Sequence, residues 1–311
     1  MRFQDIVGQQ TACTQLRQAY RHQRLSHAYI FDGPSGVGKM ATAQALAALL
    51  LCQAPQDADA CGCCSSCRQL QSGTHPDCHL VVPDGKSIKI KQIRELRNSL
   101  SSMATYGGYT VVLIDDADTL GIEAANALLK TIEEPQGPTC FILITSHADR
   151  LPDTIRSRAQ LLRFKPLGDA NILRLLGEDS PEARRSAELA FGSLARAQAL
   201  LHDPEQRDGL SQRIDKIRAL LSHLISTHDG ALLRYCDSFT GNREAVNEQV
   251  LLIRHHYRAQ LKTALKEGSD LGPTVALLHC TNTALQRLQT NTEPSFILGA
   301  LLIEMAHTLR Q

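Results

Sequence analysis

Neither a large net charge nor a long hydrophobic run is present in this sequence. Its 311 residues include 33 basic and 32 acidic side chains, which leaves a formal net charge of +1. Without a global excess of positive charge, any contact with DNA has to be local or shared with partner chains. No apolar run approaches the length of a transmembrane helix, and residues 1–10 lack the apolar segment of a signal peptide. The sequence therefore predicts a cytoplasmic protein that does not contact membranes.

Internal repeats and low-complexity segments are absent as well. The hydrophobic fraction of 43% is sufficient to bury a sizeable core, and a length of 311 residues indicates two or three domains. The composition thus favours an ordinary multidomain globular chain, and the information about function lies in its motifs.

Residues 33–40 read GPSGVGKM, a phosphate-binding loop that lacks its usual final residue. Its three glycines allow backbone N–H groups to turn toward phosphate oxygens, and the Lys39 amine can reach the terminal phosphates. Loops that bind Mg²⁺ end in Ser or Thr, whereas this one ends in Met40. The pattern predicts a nucleotide-binding fold and leaves open whether ATP or ADP, with Mg²⁺, still binds. The predicted nucleotide contacts in the loop are Gly33, Ser35, Gly36, Val37, Gly38, Lys39 and Met40.

Short apolar runs separated by helical patterns predict a parallel sheet covered by helices. The loop lies between an apolar run at 28–31 and a helical segment at 41–51, which is the required order of strand, loop and helix. Apolar residues spaced by three and four indicate further helices, and alternating strands and helices form parallel sheets. The other strand-like runs are 79–82, 110–114, 140–145 and 161–164.

An acidic turn follows the third of these runs, where residues 111–118 read VVLIDDAD. Asp115 takes the position at which P-loop enzymes hold Mg²⁺ through water. At the next position, P-loop enzymes usually have a Glu that polarises the attacking water. This chain has Asp116 there, and its side chain is one methylene shorter. Both aspartates are predicted to belong to the nucleotide site. Two positions tied to hydrolysis, 40 and 116, thus depart from the pattern of a working ATPase.

Ten cysteines in a chain expected to be cytoplasmic indicate a role other than disulfide bonding. Five of them lie between residues 52 and 67, and four follow the pattern C-x8-C-x2-C-x2-C. Four thiolates with this spacing can surround a structural Zn²⁺ ion, whereas free thiols at this density would oxidise or cross-link. Cys63, His75 and Cys78 are alternative ligands. The predicted ligands are Cys52, Cys61, Cys64 and Cys67.

The strand pattern ends near Asp169, and the rest of the chain has the pattern of helices. We therefore expect a P-loop α/β domain at residues 1–167, with the zinc module inserted at about 52–67. A small helical lid domain is expected at 168–210, and an all-helical C-terminal domain at 211–311. The candidate joints are Pro166-Leu167-Gly168 and the polar segment His202-Asp203-Pro204.

Three motifs, together with the cysteine array, resemble the bacterial clamp-loader family of AAA+ proteins. They are HAYIFDGPSGVGK at 27–39, NALLKTIEEP at 126–135 and IRSRAQ at 155–160. Near the C-terminus, NTEPSFILGALL at 291–302 resembles the collar helix of the delta-prime subunits of this family. The order and spacing of the motifs are more specific than any one of them. The resemblance implies an AAA+ parallel sheet, a helical lid and a helical collar that mediates oligomerisation.

The same resemblance implies a subunit of the DNA polymerase III holoenzyme, a DNA-directed DNA polymerase and nucleotidyltransferase, rather than an independent catalyst. Tau/gamma subunits hydrolyse ATP, while delta-prime subunits keep the fold with an eroded site. Met40, Asp116 and the lack of a long extension after Gln311 favour the delta-prime type. The implied partners are tau/gamma and delta subunits in a hetero-pentamer and, through that complex, the sliding clamp and primed DNA.

The segment Ser157-Arg158-Ala159 resembles the Ser-Arg-Cys motif of the family, whose arginine reaches the γ-phosphate of a neighbouring subunit. A guanidinium suits this role because it is planar, permanently charged and able to hold two phosphate oxygens. The resemblance therefore implies that Arg158 is an arginine finger in trans, although Ala159 replaces the cysteine of the motif. Without the resemblance, Arg158 would be interpreted as a surface cation beside Arg156.

Other positions resemble family elements less specifically. Val7-Gly8-Gln9 matches a stretch that borders the adenine, and an ordinary turn explains it equally well. Thr145 lies at the sensor-1 position and Arg196 in the sensor-2 region, so both are predicted nucleotide contacts, with a solvated arginine as the alternative for Arg196. Glu133 and Glu134 are interpreted as a helix end without a catalytic role.

Two other functions remain as alternatives. An autonomous ATPase of the gamma/tau type would share the fold and differ by hydrolysing ATP alone. A zinc-stabilised DNA-binding protein is disfavoured because the charge is balanced and no recognition-helix motif is present.

Overall fold

The chain forms two compact units, Met1–His202 and Asp203–Gln311. The first unit contains a β-sheet and helices, and the second consists of helices in its described part. The three-domain division with boundaries at residues 167 and 210 stays a prediction, and Asn291 of the collar motif lies outside the described residues. The computed structural model describes residues 1–100, 108–135, 137–224, 228–237, 243–288 and 292–310.

Five parallel strands form the sheet of the first unit, in the order β2-β3-β4-β1-β5. Each of the five predicted strands is confirmed to within one residue at either end. The pattern succeeds because strands covered on both faces are continuous apolar runs. The strands are β1 (Ala28–Asp32), β2 (Cys78–Val81), β3 (Thr110–Ile114), β4 (Thr139–Thr145) and β5 (Gln160–Arg163).

Helices cover both faces of this sheet. Alternate residues of β1 point to opposite faces, so Phe31 packs with Leu46 of α2 while Ile30 packs with Leu128 of α5. Two separate cores result, one on each side of the sheet, as a doubly covered sheet requires. The helices of this unit are α1 (Gln10–Arg21), α2 (Lys39–Leu51), α3 (Ser65–Gln71), α4 (Ile90–Ser99), α5 (Ile122–Glu133), α6 (Asp153–Arg156), α7 (Asp169–Leu176), α8 (Pro181–Leu189) and α9 (Leu194–His202).

Helices α7, α8 and α9 follow the last strand and have a small core of their own, which includes Ile172, Ala187 and Ala197. Ser180 caps α8, because its hydroxyl accepts a hydrogen bond from the Ala183 N–H at 3.1 Å. The loss of the strand pattern near Asp169 therefore marks the true start of a helical segment.

The second unit has helices with largely apolar contact faces. Leu298, Leu302 and Met305 of its last helix are fully buried. No strand occurs in the described part of this unit, which confirms the predicted helical C-terminal region. None of the helices in the described ranges is long and apolar enough to cross a membrane. The helices are α10 (Pro204–Ser222), α11 (Asp229–Asp237), α12 (Arg243–Glu267), α13 (Gly272–Arg287) and α14 (Pro294–Arg310).

Candidate functional site

The glycine loop connects the end of β1 to the start of α2, as its sequence predicts. Gly36 and Gly38 have φ angles of +74° and +100°, in the left-handed region that favours glycine. The Gly33 N–H donates to the Thr145 carbonyl of β4 at 3.3 Å, which fixes the entry of the loop to the sheet. Ser35 is exposed at the outer side of the loop.

The Lys39 side chain turns back onto this loop. Its Nζ donates to the carbonyl oxygens of Gly33 at 2.5 Å and Pro34 at 2.7 Å, and lies 3.4 Å from Ser146 Oγ. The residue is only 6% exposed, and burial lowers the pKa of its amine. The predicted phosphate-binding amine thus has protein acceptors in this structure.

Two carbonyl groups of the loop bond to other parts of the first unit. The Val37 oxygen accepts from Gln9 Nε2 at 3.1 Å, and the same amide nitrogen donates to the Lys165 oxygen at 2.7 Å. The Gly36 oxygen accepts from the Leu194 N–H, at the start of α9, at 2.8 Å. Gln9 is therefore a bridge between the N-terminal segment, the loop and the chain after β5.

No hydroxyl is available at the end of the loop for a magnesium ion. Met40 is partly buried and packs against the apolar core beside α2. The nearest hydroxyl along the helix, that of Thr42, donates to the Gly38 carbonyl at 2.9 Å and is buried. Neither Met40 nor Thr42 thus supplies a free hydroxyl in place of the missing Ser or Thr.

The two predicted acids lie at the carboxyl end of β3. Burial raises the pKa of the Asp115 carboxyl, whose Oδ1 accepts a hydrogen bond from the Asp116 N–H at 3.1 Å. Asp116 is exposed and has left-handed backbone angles, φ 43° and ψ 49°. Asp115 is thus partly buried, whereas Asp116 faces solvent, and their roles at a nucleotide site stay predictions.

A third acid, Asp118, was not singled out by the sequence. The hydroxyl of Thr145, the predicted sensor-1 residue, donates a hydrogen bond to Asp118 Oδ1 at 2.5 Å. Arg150 lies 4.0 Å from the other carboxylate oxygen. The only sequence signal for Asp118 is its place in the acidic turn VVLIDDAD.

Arg196 lies on α9, with its guanidinium carbon 4.7 Å from the centroid of the Phe191 ring. Such stacking on an aromatic face is a common arginine contact. Its role as a nucleotide contact stays a prediction.

Arg158 lies in the short segment between α6 and β5, and its side chain is 41% exposed. Nη1 donates to the Thr154 carbonyl at 3.1 Å and to Ser157 Oγ at 3.3 Å, while Nε lies 2.6 Å from Glu133 Oε1. Arg156, its neighbour, instead pairs with Asp153 of its own helix. The predicted finger is therefore exposed at the surface with a defined guanidinium orientation.

The four predicted metal ligands come together. The sulfurs of Cys52, Cys61, Cys64 and Cys67 all lie within 4.8 Å of one another. The Cys52–Cys64 and Cys61–Cys67 sulfur pairs are each 4.0 Å apart, close to the roughly 3.8 Å edge of a tetrahedral zinc–thiolate site. This group can therefore hold a metal ion.

Backbone N–H groups point at the same sulfurs. The Cys61 N–H donates to Cys52 Sγ at 3.3 Å, and the Cys64 and Cys67 N–H groups donate at 3.4 Å to Cys61 Sγ and Cys64 Sγ. Backbone N–H groups of Cys63 and Cys64 lower the pKa of the Cys61 thiol to about 6. Burial instead raises the pKa of the Cys52 and Cys67 thiols, so the hydrogen bonds favour the thiolate form at Cys61 in particular.

None of the three alternative ligands belongs to the group of four thiols. Cys63 is exposed and outside the group of four, and burial raises the pKa of Cys78 to about 11. His75 Nε2 lies 2.7 Å from Ser66 Oγ, and its Nδ1 accepts from the Asp77 N–H at 3.1 Å. His75 therefore links α3 to the start of β2 instead of joining the thiols.

The strand order, the glycine loop after β1 and the acids after β3 define a P-loop α/β protein of the AAA+ type. The family model described as "DNA polymerase III, delta subunit" matches residues 8–168, which is more than half of the chain. The chain belongs to the DNA polymerase III delta-prime subunit family, as the following relatives also show.

The DNA polymerase III subunit delta' of Pseudomonas aeruginosa is 38% identical over 225 residues, covering 70% of this chain and 67% of the relative. The subunit delta' of Bacillus subtilis is 40% identical over 192 residues, covering 61% of this chain and 58% of the relative. The subunit tau of Bacillus subtilis is 36% identical over 165 residues, covering 53% of this chain and 29% of tau.

Among solved structures, the chain is similar to the Holliday junction branch migration motor RuvB of Thermotoga maritima. The TM-score is 0.44 at 18% identity, and the similarity covers 70% of this chain and 64% of RuvB.

Proposed function

We propose that this chain is a clamp-loader subunit of the delta-prime type, which helps to load a sliding clamp onto primed DNA and hydrolyses little or no ATP itself. Its proposed partners are tau/gamma and delta subunits in a hetero-pentamer. The observation that carries the proposal is the 38% identity to the subunit delta' of Pseudomonas aeruginosa over 225 residues, together with a loop that ends in Met40.

ATP hydrolysis by a P-loop needs a lysine on the phosphates and a hydroxyl on Mg²⁺. In this chain, Lys39 is retained, but Met40 contributes no ligand to the metal. The backbone glycines and Asp115 are the remaining groups for ATP or ADP, with Mg²⁺ if nucleotide binds. The loop is therefore better suited to a structural role than to turnover.

Arg158 is proposed to act on the ATP of a neighbouring subunit. Its exposure, and its place in a motif that resembles the arginine-finger segment of the family, support this role. A permanently charged guanidinium stabilises the negative charge that develops on the transferred phosphoryl group.

The group of four cysteines is proposed to hold Zn²⁺. Four thiolates with no open position form a structural site, which stabilises the surrounding fold and takes no part in the reaction. Because the array lies between α2 and β2, the ion would fix this connection at the end of α2 away from the glycine loop.

The arginine proposal is tested in a loader reconstituted with tau/gamma and delta subunits, clamp and primed DNA. Arg158→Ala is expected to lower the DNA-stimulated ATP hydrolysis at the affected site by about tenfold or more, while size-exclusion chromatography shows normal assembly. Arg156→Ala is the matched control, since this neighbouring arginine pairs with Asp153.

An unchanged rate in the Arg158→Ala loader would refute the finger. In a second experiment, ATP hydrolysis by the purified chain alone is measured, and little or none is expected. A substantial Mg²⁺-dependent rate that Lys39→Ala abolishes would instead support the alternative of an autonomous ATPase of the gamma/tau type.

A further inference from the structure

A buried carboxylate of the cysteine module, residues 52–67, binds the N-terminal end of the chain. Asp59 lies between the first two predicted metal ligands and is only 9% exposed. Its Oδ1 accepts hydrogen bonds from the Phe3 N–H at 2.9 Å and the Ala60 N–H at 2.8 Å, and its Oδ2 accepts from the Gln4 N–H at 3.1 Å. Backbone donors therefore occupy both oxygens, and two of these donors lie 56 and 55 residues earlier in the sequence.

This contact satisfies the start of the short 3₁₀ helix Phe3–Asp5. The first N–H groups of a helix have no acceptor within it, and leaving them unpaired away from water is unfavourable. Here the acceptor is the Asp59 carboxylate, and the residue before the helix supplies no side-chain cap. The order of the N-terminal segment thus depends on where the cysteine module places this carboxylate.

The segment that carries the carboxylate has predicted metal ligands at both ends. Residues 53–60 belong to no helix or strand, and Asp57 and Ala58 have φ angles of +48° and +53°. Residues other than glycine keep this left-handed conformation only when surrounding contacts impose it. An ion bound by the sulfurs of Cys52 and Cys61 would close the segment and lower the entropy lost when the carboxylate is ordered.

The other end of the N-terminal segment reaches the glycine loop. Gln9 is 4% exposed, and its Nε2 donates to the Val37 oxygen of the loop at 3.1 Å and to the Lys165 oxygen at 2.7 Å. Its Oε1 accepts from the Lys165 N–H at 3.3 Å. Residues 3–9 therefore connect the cysteine module to the glycine loop, with hydrogen bonds at both ends.

We propose that the cysteine module is a metal-dependent anchor for the N-terminal segment, residues 3–9. With the ion bound, Asp59 holds the Phe3 and Gln4 amides. Without the ion, residues 3–9 detach more often, and the contacts of Gln9 with the glycine loop open with them. This inference rests on the proposed zinc site and gives it a role beyond its own fold, because the ion sets the order of a segment beside the nucleotide loop.

Packing of Phe3 makes a different prediction. Its ring is 4% exposed and belongs to the core that includes residues of α1 and α2. If this packing alone held the segment, the amides of residues 3–9 would stay protected without the ion or the carboxylate. The two sources of order are separated by changing the metal and Asp59 while the Phe3 ring stays in place.

Hydrogen exchange on the purified chain tests the anchor. Mass spectrometry follows amide exchange in the zinc-loaded chain and in the chain treated with a chelator under reducing conditions. Chelation is expected to speed exchange of the Phe3 and Gln4 amides about tenfold or more, and to expose the Lys165 amide, whose acceptor is Gln9. A peptide of β4 is expected to remain protected, because this strand lies in the interior of the sheet.

Asp59→Asn separates the anchor from the metal site. The variant loses the charge and one acceptor oxygen, so exchange of the Phe3 and Gln4 amides is expected to rise about tenfold with the zinc content unchanged. Asp57→Asn is the matched control. Asp57 lies in the same segment, its side chain is 79% exposed and it pairs with Arg17 of α1, so this variant should exchange like the unmodified chain.

Each outcome decides between the zinc site and the anchor. A chain that takes up no metal in zinc-containing buffer would refute the zinc site and, with it, the metal dependence of the anchor. A chain that binds zinc, yet keeps residues 3–9 equally protected after chelation, would overturn the anchor alone, as would unchanged exchange in Asp59→Asn.

Should chelation also expose β4, Cys52→Ser takes its place, since this variant frees one end of the segment 53–60 and keeps three thiol ligands. Exchange at Phe3 and Gln4 equal to that of the unmodified chain would then overturn the anchor.

Discussion

At the scale of single residues, Lys39 combines a phosphate-binding position with structural contacts. Its amine is nearly buried, and burial alone lowers its pKa. The carbonyl oxygens of Gly33 and Pro34 compensate for the lost hydration of the ammonium group. The side chain therefore stabilises the loop in the absence of phosphate.

Lys39→Ala is expected to lower the free energy of unfolding by about 1–2 kcal/mol, because two charge-assisted hydrogen bonds are lost. The measurement is urea unfolding of the chain without nucleotide.

Lys130→Ala is the control for this variant. Lys130 is exposed and has no ion pair in the part of the chain that the structure describes, so a change below about 0.5 kcal/mol is expected. Equal stability of the Lys39→Ala and unmodified chains would contradict the structural role of Lys39.

The positions of the glycine loop, Lys39 and Arg158 were predictable from the sequence, whereas the hydrogen bonds and ion pairs of the two side chains were not. GPSGVGKM identifies the loop because glycine is required at left-handed positions such as Gly36 and Gly38. The acceptors of Lys39, in contrast, depend on the directions of carbonyl groups, which only the folded loop defines. The pairing of Arg158 with Glu133 joins positions distant in sequence, and no local pattern records it.

At the scale of elements, the cysteine module joins α2 to β2 through the short helix α3. Cys64 caps this helix, because its Sγ accepts the Cys67 N–H at 3.4 Å. Ser66, inside the same helix, donates to the Leu51 carbonyl at the end of α2 at 2.5 Å. The module is therefore bonded to the P-loop helix.

Cys64→Ser is expected to abolish binding of one zinc ion and to lower the midpoint of thermal unfolding, because a structural metal contributes to folding. Metal content is measured by mass spectrometry on the purified chain, and thermal unfolding by circular dichroism.

Cys63→Ser tests the specificity of this loss. The exposed Cys63 lies outside the group of four, so the zinc content of this variant should equal that of the unmodified chain. Loss of zinc in Cys63→Ser, with retention in Cys64→Ser, would reverse the ligand assignment.

The regular spacing of Cys61, Cys64 and Cys67 predicted that these sulfurs lie together, since two-residue gaps direct neighbouring sulfurs to one point. The spacing alone left Cys63, His75 and Cys78 as alternative ligands. The hydrogen bonds of His75 with Ser66 and Asp77 could not be predicted from spacing. Its partners Ser66 and Asp77 lie on different elements, and their approach depends on how α3 packs beside β2.

At the scale of the whole molecule, the helical unit is held by contacts between helices distant in sequence. Asp229, at the start of α11, lies 3.1 Å from both His307 Nε2 and Arg310 Nη1 of α14. Its hydrogen bonds to His307 and Arg310 lower the pKa of the carboxyl. The contribution of this contact to stability therefore depends on pH.

Because the native pKa of Asp229 is lowered, the stabilisation is fully present above the unfolded pKa of about 3.9 and is lost as pH falls through the native value. Asp229→Asn is expected to lower the urea midpoint at pH 7. The difference from the unmodified chain should shrink from about pH 4 downward and disappear below the native pKa.

Glu267→Gln is the control, since Glu267 is exposed at the end of α12 and has no ion pair in the described ranges. A midpoint difference for Asp229→Asn that persisted unchanged in strong acid would exclude the charge as its cause.

The architecture was largely predictable from hydrophobic patterns. Strands covered on both faces, such as β3 and β4, are apolar runs of five and seven residues, which distinguishes them from the helices around them. The order β2-β3-β4-β1-β5 was not predictable in this way, because apolar runs do not specify their neighbours. The break between compact units at residues 202 and 203 falls in the polar segment His202-Asp203-Pro204, which the sequence marks as a candidate joint.

The strand order also constrains how the protein is made. β1 ends at residue 32, yet its partners β4 and β5 begin at residues 139 and 160. At ribosomal rates of about 5–20 residues per second, this apolar strand waits on the order of 5–20 s before a partner emerges. Biosynthesis of this chain therefore includes an interval in which β1 has no strand to pair with and its apolar residues are open to aggregation.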